Sequence, residues 1–366
     1  MGEPIRVLHI LQRMEAGGTQ ALLMNIYRKI DRTKVQFDFL VVYKEKQFYD
    51  DEIESMGGHV YKLSFREDLN LPKFQKDLKN FFKQHHEYQI VHCHAYTIGY
   101  FCLKAAKKAG IPVRIAHSHN NETVHDIKYL PKLFMQRLFT LNATDLFACS
   151  EEAGKYLFND KPFKVLKNAI DSQQFIANEN TRREVRQELG LENKFVVGHV
   201  GRLHPQKNHD FLIDVFAEIK KKKPDAELIL VGTGPLEEKV RSKVADMGLT
   251  ENVQFLGNRK DMNQIYQAMD IFVFPSLFEG LGIVAIEAQA AGVPIVCSEG
   301  LPPETDITPI YRKLMLSDGT EKWAEAAIEM AQSSEAHTNM QKYIIDAGFD
   351  MSATAKNMEE YYLQKI

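Results

Sequence analysis

Short apolar runs alternate with amphipathic stretches of helix length along most of this chain, and this alternation restricts the fold more than any other feature. Runs typical of buried strands lie in a first series at residues 5–11, 37–42, 60–63, 90–92, 113–117 and 146–149. A second series lies at residues 195–200, 227–231, 253–256, 271–274 and 295–297. Strands that alternate with helices form parallel sheets covered on both faces. The sequence therefore predicts an α/β protein with two Rossmann-like, doubly wound units in series.

A polar stretch at residues 172–181 separates the two series and contains little that could be buried. The chain has 366 residues, which exceeds the size that one hydrophobic core usually supports. We predict an N-terminal domain over residues 1–172 and a second domain over residues 173–348. Residues 349–366 have helical composition with one apolar side, and we expect this helix to pack back on the first domain.

The bulk composition excludes several classes of protein. A net charge of -3 with 26% charged residues gives no global sign of nucleic-acid binding. The four cysteines are widely spaced and form no Cys-x-x-Cys pair, which argues against a zinc cluster or a disulfide framework. Neither a signal-peptide core nor an apolar run of membrane-spanning length is present in the sequence, so we expect a cytoplasmic protein.

The loops that follow strands are the first places to look for a ligand site, because parallel sheets bind ligands beyond the carboxyl ends of their strands. Gly17 and Gly18 follow the first strand and could let the backbone approach a ligand, or form only a tight turn. Arg202 and Lys207 follow the first strand of the second series. Two cations on one loop suit a diphosphate, although two solvated surface charges would look the same.

The segment from residue 275 to 294 is the most informative one in the chain. A strand ends at a proline, a Gly-rich loop follows, and the next helix is rich in alanine. Glu279 and Glu287 are eight residues apart, and we expect Glu279 before the helix and Glu287 about two turns into it. Backbone N–H groups of Gly282, Ile283 and Val284 could meet phosphate oxygens, while the glutamates could accept hydrogen bonds from sugar hydroxyls.

These segments together resemble the family 4 retaining glycosyltransferases of the GT-B fold, in the subgroup that makes bacterial exopolysaccharides and capsules. The resemblance covers nearly the whole chain. It is carried by the glycines at 17 and 18, by residues 168–171, by Arg202 with Lys207, by the Gly232 loop at 231–235, and by the spaced glutamates at 279 and 287. It implies two Rossmann-like domains that face a central cleft. Ala169 replaces the family's usual glycine in the 168–171 turn, which matters little if that position does not need a positive φ. Residues 299–305 lack the Gly-rich stretch that many members have, and this leaves the sugar specificity open.

The resemblance also implies roles for individual residues. Arg202 and Lys207 would hold the donor diphosphate, Glu279 the donor sugar and Glu287 the ribose. The glycines at 17, 18 and 232 would lie close to the donor, with the first two reaching it from the opposite domain. A histidine after a later strand of the first domain would lie near the donor sugar, and His119 is favoured over His117 for this position. His92 and His94 follow another strand and could line the acceptor side, although packing is the more common role for such histidines.

The resemblance further implies a metal-independent enzyme that needs no cofactor and takes a nucleotide-diphosphate sugar, preferably a UDP-sugar. In line with this, no two aspartates in the chain are separated by a single residue, so the Asp-x-Asp metal motif is missing. We expect the acceptor to be a saccharide or a lipid-linked saccharide. Basic amphipathic stretches at 73–86 and 129–139 could attach the protein to a membrane surface, or could simply pack on the sheet. A nucleotide-sugar epimerase and a two-lobed binding protein are the alternatives.

Overall fold

A computed structural model describes residues 3–15, 18–65, 67–119 and 138–366. The chain divides into two compact units, which comprise residues 1–169 with 351–366, and residues 170–350. The predicted boundaries at 172 and 348 lie within three residues of these.

The first unit contains one parallel sheet. Its strands are β1 (Ile5–Ile10), β2 (Val35–Val41), β3 (Val60–Lys62), β4 (Ile90–Cys93), β5 (Val113–Ser118), β6 (Asp145–Ala148) and β7 (Lys164–Val165). They lie in the order β3-β2-β1-β4-β5-β6-β7 and pair in parallel throughout. The helices that the structure describes between them are α1 (Gly18–Lys29), α2 (Asp50–Ser55), α3 (Leu71–Gln84), α4 (Tyr96–Lys108) and α5 (Glu151–Phe158).

The second unit repeats this plan with six parallel strands. They are β8 (Phe195–Val200), β9 (Ala226–Val231), β10 (Val253–Gly257), β11 (Ile271–Phe274), β12 (Ile295–Ser298) and β13 (Tyr311–Leu314), in the order β10-β9-β8-β11-β12-β13. The helices are α6 (Ser172–Phe175), α7 (Glu179–Glu188), α8 (His209–Lys222), α9 (Glu237–Asp246), α10 (Met262–Ala268), α11 (Ile283–Ala290), α12 (Thr320–Ala331) and α13 (Gln341–Asp346). Two doubly wound parallel sheets are the architecture that the alternating pattern predicts.

Two strands escape the sequence-based prediction, and both lie at the edge of a sheet. β7 has two residues, and β13 reads Tyr-Arg-Lys-Leu with no fully buried position. Edge strands are covered on fewer sides than central ones, so they need no continuous apolar run. The other two edge strands, β3 and β10, contain runs that the sequence-based prediction included, so only edge strands without such a run are missed.

The last helix, α14 (Met351–Leu363), belongs to the first unit although the second unit precedes it in the chain. Its buried residues join the core that also contains Val7 and Phe37, and they are Met351, Ala355, Met358, Tyr361 and Tyr362. At about 1.5 to 3 kcal/mol for each large buried side chain, this helix contributes substantially to the first unit.

In both units the strand order reverses at the first strand of the series. β1 lies between β2 and β4, and β8 lies between β9 and β11. The connections after two such neighbouring strands run to opposite sides of the sheet, which opens a crevice at the carboxyl ends. The loops after β8 and β11, and those after β1 and β4, are therefore where the fold itself provides room for a ligand.

Candidate functional site

The crevice of the second unit contains most of the residues that the sequence analysis selected. Arg202 and Lys207 follow β8, and Glu279 follows β11, the neighbouring strand at the reversal of strand order. Glu287 lies on α11, the helix that comes next along the chain. The structure thus brings these four residues to one edge of one sheet.

Lys207 and Glu279 form the closest charged pair of this edge. The Lys207 Nζ atom lies 2.7 Å from Glu279 Oε1, and their side chains are 14% and 8% exposed. The same Nζ atom lies 4.6 Å from the centre of the Phe274 ring. A largely buried ammonium that has three N–H donors can hold the carboxylate and still offer a donor to an anionic ligand.

Gln206 joins the loop after β8 to the loop after β11. Its backbone oxygen accepts a hydrogen bond from Leu277 N at 2.8 Å, and its Nε2 donates to Phe278 O at 2.8 Å. Glu279 N in turn donates to Gly300 O at 2.9 Å. The backbone that carries Glu279 is therefore held on both sides, which restricts where its carboxylate can lie.

Close backbone packing explains why glycines accumulate at this edge. Gly232 has a φ of +124°, and a Cβ atom there would lie 2.2 Å from Gly201 O. A Cβ atom at Gly234 would lie 2.4 Å from Leu203 O. No side chain fits at these contacts, so the loops after β8 and β9 can lie against each other only as glycine backbone.

The helix α11 begins directly at the site. Gly282 precedes it with a φ of +72°, in the left-handed region that favours glycine, and Ile283 and Val284 form its first turn. N–H groups in the first turn of a helix have no partner within the helix and can bind an anion. Because the helix starts as late as residue 283, Glu287 lies about one turn into it. The prediction of about two turns was wrong.

Glu287 is bonded to Tyr266 rather than to a cation. Tyr266 is fully buried, and its hydroxyl donates to Glu287 Oε2 at 2.9 Å. Burial raises the pKa of Glu287 to about 7, and the hydrogen bond from Tyr266 opposes this shift. The two glutamates therefore differ in surroundings, since only Glu279 has an ammonium beside it. Nothing in the sequence indicated Tyr266, which lies on α10 and reaches Glu287 only in the fold.

Arg202 differs from Lys207 in being exposed. Its side chain forms no hydrogen bond or ion pair with any other residue that the structure describes. Its guanidinium is therefore available to a ligand, and binding costs only the conformational entropy of this flexible side chain. In the first unit, Gly18 is the first residue of α1, whereas Gly17 lies outside the described residues.

The crevice of the first unit contains a set of neighbouring histidines that we call the five-histidine cluster. Its members are His9, His92, His94, His117 and His119. Alternate residues of a strand point to one face, which places the pairs from β4 and β5 beside His9 of β1. Four of the rings are buried, and His119, directly after β5, is half-buried.

Hydrogen bonds link the cluster into two chains. His119 Nε2 lies 2.8 Å from His94 Nδ1, and His94 Nε2 lies 3.1 Å from His9 Nδ1. In the second chain, His117 Nδ1 lies 3.0 Å from His92 Nε2, and the Tyr362 hydroxyl lies 2.7 Å from His92 Nδ1. Burial lowers the pKa of every ring in the cluster, that of His119 to about 3, so the rings are neutral at neutral pH.

The structure thus separates the two candidate histidines. His117 lies within β5 and is fully buried, whereas His119 follows the strand and is partly accessible. Only His119 can contact a ligand without a rearrangement of the sheet. His9 completes the cluster but was not selected from the sequence, where it reads as one residue of a buried strand.

Comparison with known proteins assigns the family. Residues 16–174 match the model described as glycosyltransferase family 4, and residues 181–347 match the model of glycosyl transferases group 1. The putative glycosyltransferase EpsF of Bacillus subtilis is 35% identical over 337 residues, which cover 89% of this chain and 88% of EpsF. The chain belongs to glycosyltransferase family 4.

Another relative agrees with this assignment, and solved structures share the fold. The capsular polysaccharide biosynthesis glycosyltransferase CapH of Staphylococcus aureus is 25% identical over 99% of both chains. HepE of Anabaena, solved in complex with UDP, aligns with a TM-score of 0.78 at 21% identity, over 98% of this chain and 100% of HepE. The glycosyltransferase WaaG aligns with a TM-score of 0.65 at 16% identity, over 97% of this chain and 99% of WaaG. The two parallel-sheet units are those of the GT-B fold, and the protein is a glycosyltransferase.

Proposed function

We propose that this glycosyltransferase moves a sugar from a UDP-sugar to a saccharide or lipid-linked saccharide, with retention of configuration, in the synthesis of an exopolysaccharide or capsule. The observation that carries the proposal is the arrangement of the second crevice. A half-buried ammonium, an exposed guanidinium and the start of α11 lie at one sheet edge with two carboxylates. Such a site suits a ligand that combines a diphosphate with several hydroxyl groups.

The roles of the charged groups follow from where charge develops in the reaction. Cleavage of the bond between sugar and diphosphate gives the sugar an oxocarbenium character and leaves negative charge on the phosphate oxygens. Arg202, Lys207 and the N–H groups of Ile283 and Val284 stabilise that growing negative charge, which lowers the barrier. In this proposal the protein's own cations replace a divalent metal ion, and no cofactor takes part.

The carboxylates and the histidine position the donor. Glu279 binds hydroxyls of the donor sugar, and its link to Lys207 couples sugar binding to phosphate binding. Glu287 binds the ribose hydroxyls. In the first unit, His119 is the partly accessible ring and is proposed to act at the donor sugar, with His117 behind it in β5.

Two relatives support the choice of a uridine nucleotide. HepE was solved with UDP, and a relative in Escherichia coli, 29% identical over 80% of this chain, is described as a UDP-Gal-dependent galactosyltransferase that acts on a diphosphoundecaprenol-linked acceptor. A relative in Mycolicibacterium smegmatis, 26% identical over 79% of this chain, is described as GDP-mannose-dependent. The family therefore includes members described with UDP-sugars and members described with GDP-sugars, and a binding measurement distinguishes the two for this chain.

The donor is tested by thermal unfolding in the presence of UDP, GDP, ADP and their sugars. A ligand that binds only the folded state raises the melting temperature according to its affinity. We expect UDP and one UDP-sugar to give the largest shift. A larger shift with GDP would overturn the choice of base, and no shift with any nucleotide would overturn the donor site.

The reaction is tested with the donor so identified. A transferase consumes it only with an acceptor or by slow hydrolysis, whereas an epimerase converts it to a second nucleotide sugar without acceptor. NMR of the anomeric centre of the product then shows whether configuration is retained. A product of inverted configuration would contradict the retaining mechanism and leave the donor assignment intact.

A further inference from the structure

The five-histidine cluster contains more imidazole nitrogens than the proposed role of His119 uses. Two groups of three histidines each offer one ring nitrogen within 4.8 Å of the other two. The first group is His9, His92 and His94, and the second is His94, His117 and His119. Neutral imidazoles that converge in this way form the ligand sets of zinc, copper and nickel sites.

The second group is the more suitable of the two for an ion. All three members of the first group are buried. In the second group His119 is half-buried directly after β5, so this group is the more accessible of the two to an ion. The buried His117 Nε2 atom has no hydrogen-bond partner among the residues that the structure describes, and the same is true of His9 Nε2 in the first group. A buried nitrogen without a partner requires an explanation, and an ion supplies one.

We propose that His94, His117 and His119 bind a single divalent ion of the zinc class, through His94 Nδ1, His117 Nε2 and His119 Nε2. Three nitrogens around a tetrahedral zinc ion, each about 2.05 Å from it, lie about 3.3 Å apart. His94 Nδ1 and His119 Nε2 are 2.8 Å apart, so this pair must open by about half an ångström to admit the ion. The fourth position is left for water or an anion.

The other two histidines of the cluster support this choice of ligand atoms. A histidine that binds a metal usually donates its second ring N–H to an outer partner, which fixes its tautomer. His94 Nε2 has such a partner in His9 Nδ1, at 3.1 Å. His117 Nδ1 has one in His92 Nε2 at 3.0 Å, and His92 is itself bonded to Tyr362. His94 and His117 thus each have one ring nitrogen bonded to a histidine outside the proposed site, which leaves the other nitrogen of each ring for the ion.

This site goes beyond the proposed function and differs from the expectation that no residue of the chain binds a metal. The transfer reaction proposed above does not require the ion. An ion on His119 Nε2 occupies the nitrogen that now bonds to His94, so binding should also change the action of His119 on the donor. The two proposals are tested separately, because ion binding is measured without donor or acceptor.

The test uses the full chain after treatment with a chelator and removal of that chelator. Titration with Co²⁺ should give one equivalent of binding and the intense visible absorption of tetrahedral cobalt, and Zn²⁺ should displace it. His117→Gln and His119→Gln should each weaken binding by about 100-fold or more, at least as much as the loss of an outer partner. His86→Gln, which removes an exposed histidine outside the cluster, should leave binding unchanged.

His119→Gln decides the result if the fully buried His117→Gln variant fails to fold, because His119 lies after the strand. The absence of a stoichiometric, tetrahedral cobalt spectrum in the wild-type chain would overturn the site. Binding that survives His119→Gln unchanged would also overturn it, since the ion would then lie elsewhere. Anomalous scattering of zinc at the three nitrogens in a crystal would establish it directly.

Discussion

Lys207 and Glu279 are held by each other before any ligand arrives. Their side chains are 14% and 8% exposed, so each charge depends on its partner more than a surface ion pair would. Removal of one member leaves the other partly desolvated and alone. A substitution here therefore alters both the donor site and the free energy of unfolding, and the two effects must be measured apart.

We expect Lys207→Ala to lower the transfer rate by about 100- to 1,000-fold, the effect usually seen when one group that stabilises developing negative charge is removed. Its melting temperature should also fall, because Glu279 loses its cation. Turnover is therefore compared well below the melting temperature, on protein shown to be folded by circular dichroism. Lys222→Ala, at the far end of α8 and paired with Glu325, is the control. Near-normal turnover of Lys207→Ala would contradict the role of Lys207.

Glu287 should make stability depend on pH. Its pKa is raised to about 7, from 4.5 in an unfolded chain, so between these values the folded protein keeps a proton that the unfolded chain releases. The free energy of unfolding must then fall as the pH rises from about 4.5 to 7. Glu287→Gln removes the titrating carboxyl and therefore this loss of stability. Its amide oxygen can still accept the hydrogen bond from the Tyr266 hydroxyl.

We expect Glu287→Gln to stabilise the protein at pH 8 by at most about 3 kcal/mol and to have little effect at pH 4.5. Urea unfolding of both proteins at the two pH values measures the difference. An equal change at both values would show that the carboxyl is not responsible. The same variant should weaken UDP binding if Glu287 holds the ribose.

At the scale of an element, the first turn of α11 depends on one glycine. Gly282 adopts a left-handed conformation, but the nearest atoms to an added Cβ would be 3.5 Å away or more. Space therefore permits a side chain there, and only the backbone conformation opposes it. At Gly232 both space and conformation oppose a side chain. The donor site is thus built on glycines that differ in how strictly they are required.

Gly282→Ala should cost about 1 to 2 kcal/mol of stability, the usual penalty for an L-residue in the left-handed region. Gly190→Ala is the matched control, because Gly190 has a φ of +68° and nothing within 4 Å of an added Cβ. We expect the two variants to lose similar stability, and only Gly282→Ala to weaken UDP binding. Equal UDP affinities of the Gly282→Ala and Gly190→Ala variants, measured by calorimetry, would show that the start of α11 does not contribute to UDP binding.

At the scale of the whole molecule, the chain carries a basic groove in its first unit. A groove of about 700 Å³ lies between α3 and α4, with a floor that includes Leu78, Phe82 and Phe101. Its rim carries Lys76, Lys79, Lys83, Lys104 and Lys108, and no carboxylate lines it in the described part of the chain. The apolar side of α3 is buried in the core, as the packing interpretation of residues 73–86 expected. The other basic stretch, 129–139, lies mostly outside the described residues.

None of the helices that the structure describes is long and apolar enough to cross a bilayer. We propose that the groove lysines attach the protein to an anionic membrane surface. Lys79→Gln with Lys104→Gln should weaken binding to phosphatidylserine vesicles by about 30-fold, at about 1 kcal/mol for each lysine, and the binding should weaken with salt. Lys34→Gln with Lys46→Gln, which removes two lysines paired with carboxylates, is the control. Wild-type protein that does not bind at low salt would refute the attachment.

The C-terminal helix should be essential to the first unit and dispensable to the second. A chain that ends at Asp350 loses the buried side chains of α14, whereas the two cores of the second unit contain no residue beyond 350. We expect proteolysis of this chain to cleave residues 1–169 and spare residues 170–350. A chain that ends at Leu363 should remain resistant throughout. Resistance of residues 1–169 in the shorter chain would contradict this division.

Some of these properties follow from the sequence alone. Strand and helix periodicity predicts two parallel sheets, because buried strands and amphipathic helices leave local patterns that need no partner to be seen. The loops with Arg202, Lys207 and Glu279 could be selected because a parallel sheet gathers the loops after its strands at one edge. The edge strands β7 and β13 leave no such pattern.

Only the tertiary structure decided which groups meet. It joined Lys207 to Glu279 across 72 residues and Tyr266 to Glu287, and it brought His9 within reach of His94 across 85 residues. In the tertiary structure α11 begins at Ile283, so Glu287 lies about one turn into the helix instead of the predicted two. Periodicity describes the face on which a side chain lies. Its partner, its burial and therefore its pKa depend on strands that are distant in the chain and adjacent in the sheet.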